Sequence, residues 1–388
     1  MDLNYSPDEA AFRDEVRAWI GATLPNELRD KVLNYSELTK DEMLRWHKTL
    51  AKKGWIAPHW PKEWGGTDWT VVQRYIFEEE CGAAGCPPIA PFGVRMCAPV
   101  LLRFGTDAQK QRFLPRMYNG EDFWVQGYSE PGAGSDLASL KTRAVREGDH
   151  YVVTGQKIWT TLGHYGDWIF CLVRTDSKTE KRQDGISFLL VDMKTPGITV
   201  RPIVLLDQSR EVNEVFFDDV KVPVDNLVHE ENRGWTVAKF LLGYERMGTG
   251  NIAVCKRELA RVKELAARAG LLDDPRFADR LTRVEVELMA LEITNLRFLD
   301  QLRGGRPPGA EVSLLKIKGT EIQQALTELM MQTAGPLAPI FRPITPDAPF
   351  DAFTAALFPR YCNVRKATIY AGSNEIQRNI IAKATLGL

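Results

Sequence analysis

Two short tracts hold residue types that can bind a large ligand. Tyr128 to Asp136 reads YSEPGAGSD, and Thr154 to Thr161 reads TGQKIWTT. Glycine lets backbone N–H groups approach a ligand, and hydroxyl side chains add short hydrogen bonds. Trp159 offers a flat apolar face for stacking. The pair suggests a planar cofactor that carries phosphates, with Thr161 able to reach a ring nitrogen and Trp159 covering the ring. Taken alone, GAGSD also reads as a tight turn before a strand.

A third candidate is Glu245. In GWTVAKFLLGYERMG, Trp235, Ala238, Leu241, Leu242 and Glu245 share one helical face. A carboxylate on such a stripe is either ion-paired or poised as a general base, its pKa raised by desolvation. A fourth is IYAGSNEIQRNIIA (Ile369 to Ala382), where Ser373 or Asn374 caps a closing helix whose N-terminus could hold a phosphate.

Other chemistries find less support. Gly248 to Ala253 matches GxGxxA, but the preceding residues read as helix where a dinucleotide fingerprint needs a strand. Ser129 and Ser135 lack a nucleophile elbow. The five histidines and six cysteines show no metal spacing and no CxxC pair, so reduced thiols and no metal are expected. Fifty basic against 51 acidic residues leave a net charge of −1, which argues against nucleic acid as partner. The acidic, polar N-terminus is not a signal peptide, and no apolar run reaches spanning length. A cytoplasmic protein without membrane insertion is expected.

The elements that must position these residues form an α+β multi-domain pattern. Residues 1–121 read as an N-terminal helical domain that opens on Ser6-Pro7-Asp8-Glu9, with Phe12, Val16, Trp19 and Ile20 at helical spacing. Thr49 to Gly66 reads as a Trp-, Pro- and Gly-rich loop. Residues 122–231 read as a middle antiparallel β domain with short runs at Tyr151–Val153, Trp168–Val173, Ile186–Val191 and Val215–Phe217. Residues 232–388 read as a C-terminal four-helix bundle. Its seams run through Leu281, Val284, Leu288, Leu291, Asn295, Phe298 and Leu302, and through Val312, Leu315, Gly319, Ile322, Leu326 and Leu329.

At these motifs, with WPKEWGG and FFDDVKVPVDNLV between them, the chain resembles the acyl-CoA dehydrogenases over nearly its whole length. The resemblance implies noncovalent FAD and oxidation of an acyl-CoA thioester to the trans-2-enoyl-CoA, a step of β-oxidation in lipid metabolism. A carboxylate removes the α-proton while hydride goes to flavin N5. Carried over residue by residue, Tyr128, Ser129, Gly134, Ser135, Trp159 and Thr161 would hold the cofactor. Gln332 and Gly335 would meet the FAD of a neighbouring subunit, and Ser373 and Glu375 its AMP half. Ser135, Arg246, Tyr370 and Gly372 would contact substrate. Many members place the base where Ala371 stands here, and a minority place it at the position of Glu245. The chain is therefore expected to use Glu245. The cross-subunit arginine motif is absent; RAGLLDDPRF stands in its region. This form resembles the branch in which two dehydrogenase-like subunits assemble, so a homo-oligomer or a heterotetramer is expected, with electron-transfer flavoprotein as acceptor. Gly243 stands where many members have an aspartate and removes bulk beside the base, and the family's use of the relocated base for branched, long or bulky acyl groups implies dicarboxylic, steroid-side-chain or ring-bearing acyl-CoAs. A same-fold oxidase or monooxygenase, or a noncatalytic subunit, is the alternative.

Overall fold

The computed structural model describes residues 5–244, 250–306, 308–335, 338 and 352–387. Among these, six helices come first: α1 (Pro7–Thr23), α2 (Asn26–Leu33), α3 (Lys40–Lys53), α4 (Val71–Ala84), α5 (Ala98–Phe104) and α6 (Asp107–Asn119). Eight strands follow: β1 (Trp124–Gly127), β2 (Arg143–Glu147), β3 (His150–Thr161), β4 (Trp168–Arg174), β5 (Ile186–Asp192), β6 (Ile198–Ile203), β7 (Val212–Pro223) and β8 (Leu227–Val228). Helices return as α7 (Gly234–Tyr244), α8 (Ile252–Arg268), α9 (Pro275–Arg303), α10 (Ser313–Ala334), α11 (Ala352–Val364) and α12 (Asn374–Ile381). The order of helices, sheet and helices is the expected one.

The chain forms two compact units. One gathers Met1–Thr39, Trp69–Pro87 and Arg246–Leu388. Its first helix starts as read: Ser6 accepts the Glu9 N–H, the Glu9 carboxylate accepts the Ser6 N–H, and Pro7 opens the helix. Val16 and Ile20 are buried, and Phe12 meets Trp69 edge-on at 5.0 Å. The bundle core joins Leu281, Leu288, Leu291 and Phe298 of α9 to Leu315, Ile322, Leu326 and Leu329 of α10, as the seam spacing required. Gly319 has its own reason: a methyl there would lie 2.6 Å from the Gly250 Cα, so the two backbones touch.

The other unit holds Lys40–Asp68 and Pro88–Glu245. Its sheet runs β6-β7-β3-β2-β4-β5-β8, with β1 paired to β4. Most pairs are antiparallel, but β1 and β2 each run parallel to β4. α7 packs on β4 and β5 within this unit. Two local readings change. Thr49 to Lys53 continue α3, and the loop begins only at Gly54, where φ is +82°. On α7, Val237, Ala238 and Leu241 are buried while Leu242 is 39% exposed, because the sheet covers a face rotated from the expected stripe.

Candidate active site

The two tracts that opened the sequence analysis are joined in the sheet unit. β1 delivers the chain to Tyr128, whose ring is buried edge-on against Phe170. Ser129 follows, and its carbonyl accepts the Ile158 N–H at 2.9 Å. At this point β3 carries a bulge. Its register against β7 slips between Lys157 and Thr160, and Trp159 adopts φ +61°. The bulge breaks strict alternation. Lys157 and Thr160 are both buried, Thr161 is half-buried, and Trp159 is 54% exposed. A large aromatic held outward at a strained backbone position is a feature of binding sites rather than of cores.

Beyond Ser129 the tract turns on itself. Glu130 and Ala133 exchange backbone hydrogen bonds at 2.9 and 3.0 Å, and Ser139 Oγ closes onto the Asp136 carbonyl. Gly134 and Ser135 are exposed, and a methyl on Gly132 or Gly134 would meet nothing within 4 Å. The glycine backbone is thus open to a ligand. The buried Thr160 hydroxyl has no hydrogen-bond partner among the described residues. An open glycine backbone, an outward indole and an unsatisfied hydroxyl fit a planar cofactor bearing phosphates.

Glu130 is the residue that sequence reasoning missed. Its carboxylate accepts the Lys141 and Thr142 N–H groups at 2.6 and 2.9 Å, and the Lys157 ammonium at 2.7 Å. Burial alone would raise its pKa; the Lys157 charge and these hydrogen bonds outweigh it, so the net shift is downward. The acid and the lysine stood in the two quoted motifs, but nothing in sequence paired them.

Gln332, Gly335, Tyr370, Gly372, Ser373 and Glu375 belong to the helical unit. Ser373 caps α12 by accepting the Ile376 N–H at 3.3 Å. Ala371 sits at φ +53° and Gly372 at φ +77°, Tyr370 is 52% exposed, and Glu375 is exposed. Behind this turn Lys316, nearly buried, donates to Asn374 Oδ1 at 3.0 Å. Gln332 is exposed near the end of α10, and Gly335 follows at φ +66°. Glu245 and Arg246 lie outside the described residues, as does most of the proline-rich segment 336–349. Gly243 lies in the last turn of α7. No group of residues that could hold a metal occurs among the described residues, and no helix among them is long and apolar enough to cross a membrane.

Three family profiles match in order: the acyl-CoA dehydrogenase N-terminal domain over residues 6–121, the middle domain over 126–220 and the C-terminal domain over 232–386. The chain belongs to the acyl-CoA dehydrogenase family, flavoprotein oxidoreductases that act on the CH–CH group of their donors. Among its relatives is acyl-CoA dehydrogenase IpdE1 of Mycobacterium tuberculosis, 39% identical over 98% of each chain. Acyl-CoA dehydrogenase FadE26 of the same organism is 34% identical, over 100% of this chain and 99% of that one. Among solved structures, the Tcur3481-Tcur3483 steroid ACAD superposes with a TM-score of 0.87 at 31% identity, over 100% of this chain and 99% of that one. The ChsE4-ChsE5 complex from Mycobacterium tuberculosis superposes with a TM-score of 0.85 at 34% identity and the same coverage.

Proposed function

We propose that this protein is an FAD-dependent acyl-CoA dehydrogenase that uses Glu245 as its α-proton base. The observation that carries the reading is the joining of Ser129 to Ile158 beside the outward Trp159, which brings both halves of the candidate cofactor surface together in one unit. FAD, when bound, would supply the two-electron acceptor for the hydride that leaves the substrate. The chain's own residues do the rest. Tyr128, Ser129, Trp159 and Thr161 hold and cover the ring, and Gly134 and Ser135 offer backbone and hydroxyl to phosphate. Ser373 and Glu375 stand at the AMP half, and Gln332 and Gly335 at the cofactor of a neighbouring subunit. Arg246, Tyr370 and Gly372 contact the acyl-CoA, while hydrogen bonds polarise its thioester carbonyl and stabilise the charge that develops on oxygen. Glu245 takes the proton, because Ala371 offers no acceptor.

The Tcur3481-Tcur3483 steroid ACAD and the ChsE4-ChsE5 complex each pair two named components, which supports a second dehydrogenase-like subunit as partner, with a homo-oligomer as the simpler case. The first of these is a steroid ACAD, and steroid-derived or ring-bearing acyl-CoAs are accordingly the substrates to try first. Electron-transfer flavoprotein is the proposed acceptor, and the cytoplasm the proposed compartment. The test is an acyl-CoA panel with an artificial acceptor, run on wild type and Glu245→Gln. Wild type should bleach the flavin with at least one acyl-CoA. The variant should keep the flavin and slow bleaching by roughly 10²- to 10⁴-fold. Undiminished bleaching in the variant refutes the base.

A further inference from the structure

Lys157 is wholly buried in a strand that packs into the centre of the sheet. Its ammonium donates to three acceptors: the Tyr128 carbonyl at 3.2 Å, the Leu172 carbonyl at 2.7 Å and Glu130 Oε1 at 2.7 Å. Burial pulls its pKa down while the Glu130 charge pulls it up. A buried ion pair adds little net stability compared with an apolar pair of similar volume, because desolvation offsets the attraction. What it adds is direction, since each donor and acceptor must meet a fixed partner.

The partners show what is being directed. Lys157 holds the carbonyl of Tyr128, and the next residue, Ile158, holds the carbonyl of Ser129. Glu130 gathers the Lys141 and Thr142 N–H groups from the chain just beyond the far end of the same tract. Arg174 reinforces that far end through the Ala138 and Leu140 carbonyls at 2.7 and 3.2 Å. Between these ends only Ala133 of the glycine segment is buried, and it exchanges backbone hydrogen bonds with Glu130, so the residue that pairs with Lys157 also holds the middle of the turn.

We infer that the buried Lys157–Glu130 pair is a positioning device that sets the backbone of Tyr128 and Ser129 for a phosphate-bearing planar cofactor. The inference rests on the proposed FAD reading. It assigns Lys157 no contact with the cofactor; the lysine acts through the carbonyl it holds.

Lys157→Met alone strands a buried carboxylate, so the decisive variant is the double Glu130→Gln/Lys157→Met, which removes both charges and keeps the volumes. Val153→Ala, a buried truncation on the same strand, is the control for lost stability alone. Apoproteins are titrated with FAD, following quenching of flavin fluorescence and the resolution of the flavin absorption bands. The double variant should unfold cooperatively yet bind FAD at least about tenfold more weakly, with blurred bands, whereas Val153→Ala should keep wild-type affinity. The inference is overturned if the double variant binds FAD within about twofold of wild type, or if Val153→Ala loses as much. Should wild-type apoprotein take up no FAD at all, the functional reading falls first and this inference with it.

Discussion

The Ser129 carbonyl accepts the Ile158 N–H across 29 residues of chain, at 2.9 Å. Ile158 lies where the β3–β7 ladder is interrupted, beside Trp159, which turns outward at φ +61°. The bond that ties the glycine tract to the sheet and the irregularity that turns the indole outward thus occupy adjacent residues. The consequences can be measured.

Trp159 carries both a conformational strain and a proposed contact, and glycine separates them. A left-handed φ costs a non-glycine residue about 1–2 kcal/mol, and glycine gives back roughly 0.5–1 kcal/mol in chain entropy. Trp159→Gly is therefore expected to leave the apoprotein's melting temperature unchanged or slightly raised, while FAD titration shows clearly weaker binding. Unaltered FAD affinity would remove Trp159 from the cofactor surface.

Ala371 is exposed at φ +53°, so a longer side chain there meets no core packing. The family resemblance assigns proton abstraction either to this position or to that of Glu245. Ala371→Glu in the Glu245→Gln background is expected to recover part of the lost substrate bleaching, with little change in melting temperature. Stopped-flow bleaching that stays at the Glu245→Gln level would count against the shared task.

Gly319 faces the Gly250 backbone, and a methyl there would lie 2.6 Å from both its Cα and its carbonyl oxygen. Backbone cannot swing aside as a flexible side chain can, so Gly319→Ala overpacks the bundle and should destabilise it by about 1–3 kcal/mol. Urea unfolding reads this directly. A variant as stable as wild type would show that α10 and the turn before α8 are further apart than described.

Lys316 gives a pH signature. Burial lowers its pKa from 10.5 to about 8, against the pull of Glu375. Below about pH 8 the lysine is protonated whether folded or unfolded, and its contribution is flat. Between about 8 and 10.5 only the unfolded chain holds the proton, so this group makes stability rise with pH. Denaturant curves at several pH values should show wild type gaining on Lys316→Met across that window. Parallel curves would mean that Lys316 titrates as if exposed.

Much of the fold was legible because its signals are local. The capping box at Ser6 and Glu9, the seams of α9 and α10 and the apolar runs of β4 and β5 are each set by residues within a few positions of one another. The turn at Ser373-Asn374 reads as a helix cap for the same reason, and of the two it is Ser373 that caps. Misreadings arose where a distant segment decides. Spacing puts Leu242 on one face of α7 with Ala238 and Leu241, but the sheet beneath buries those two together with Val237 and leaves Leu242 exposed. β1 and β2 run parallel to β4, and no short window encodes a pairing with a strand tens of residues away.

The sequence by itself determined the element order, the family and the residue types that a cofactor surface requires, because composition and spacing carry those directly. Only the tertiary structure decided that Glu130 and Lys157 are one buried pair, that a bulge turns Trp159 outward, and that the two tracts share a hydrogen bond. The reason is physical. A charge buried in a sheet is tolerable only opposite its partner, and which acid meets which lysine is set by how strands are brought together in space.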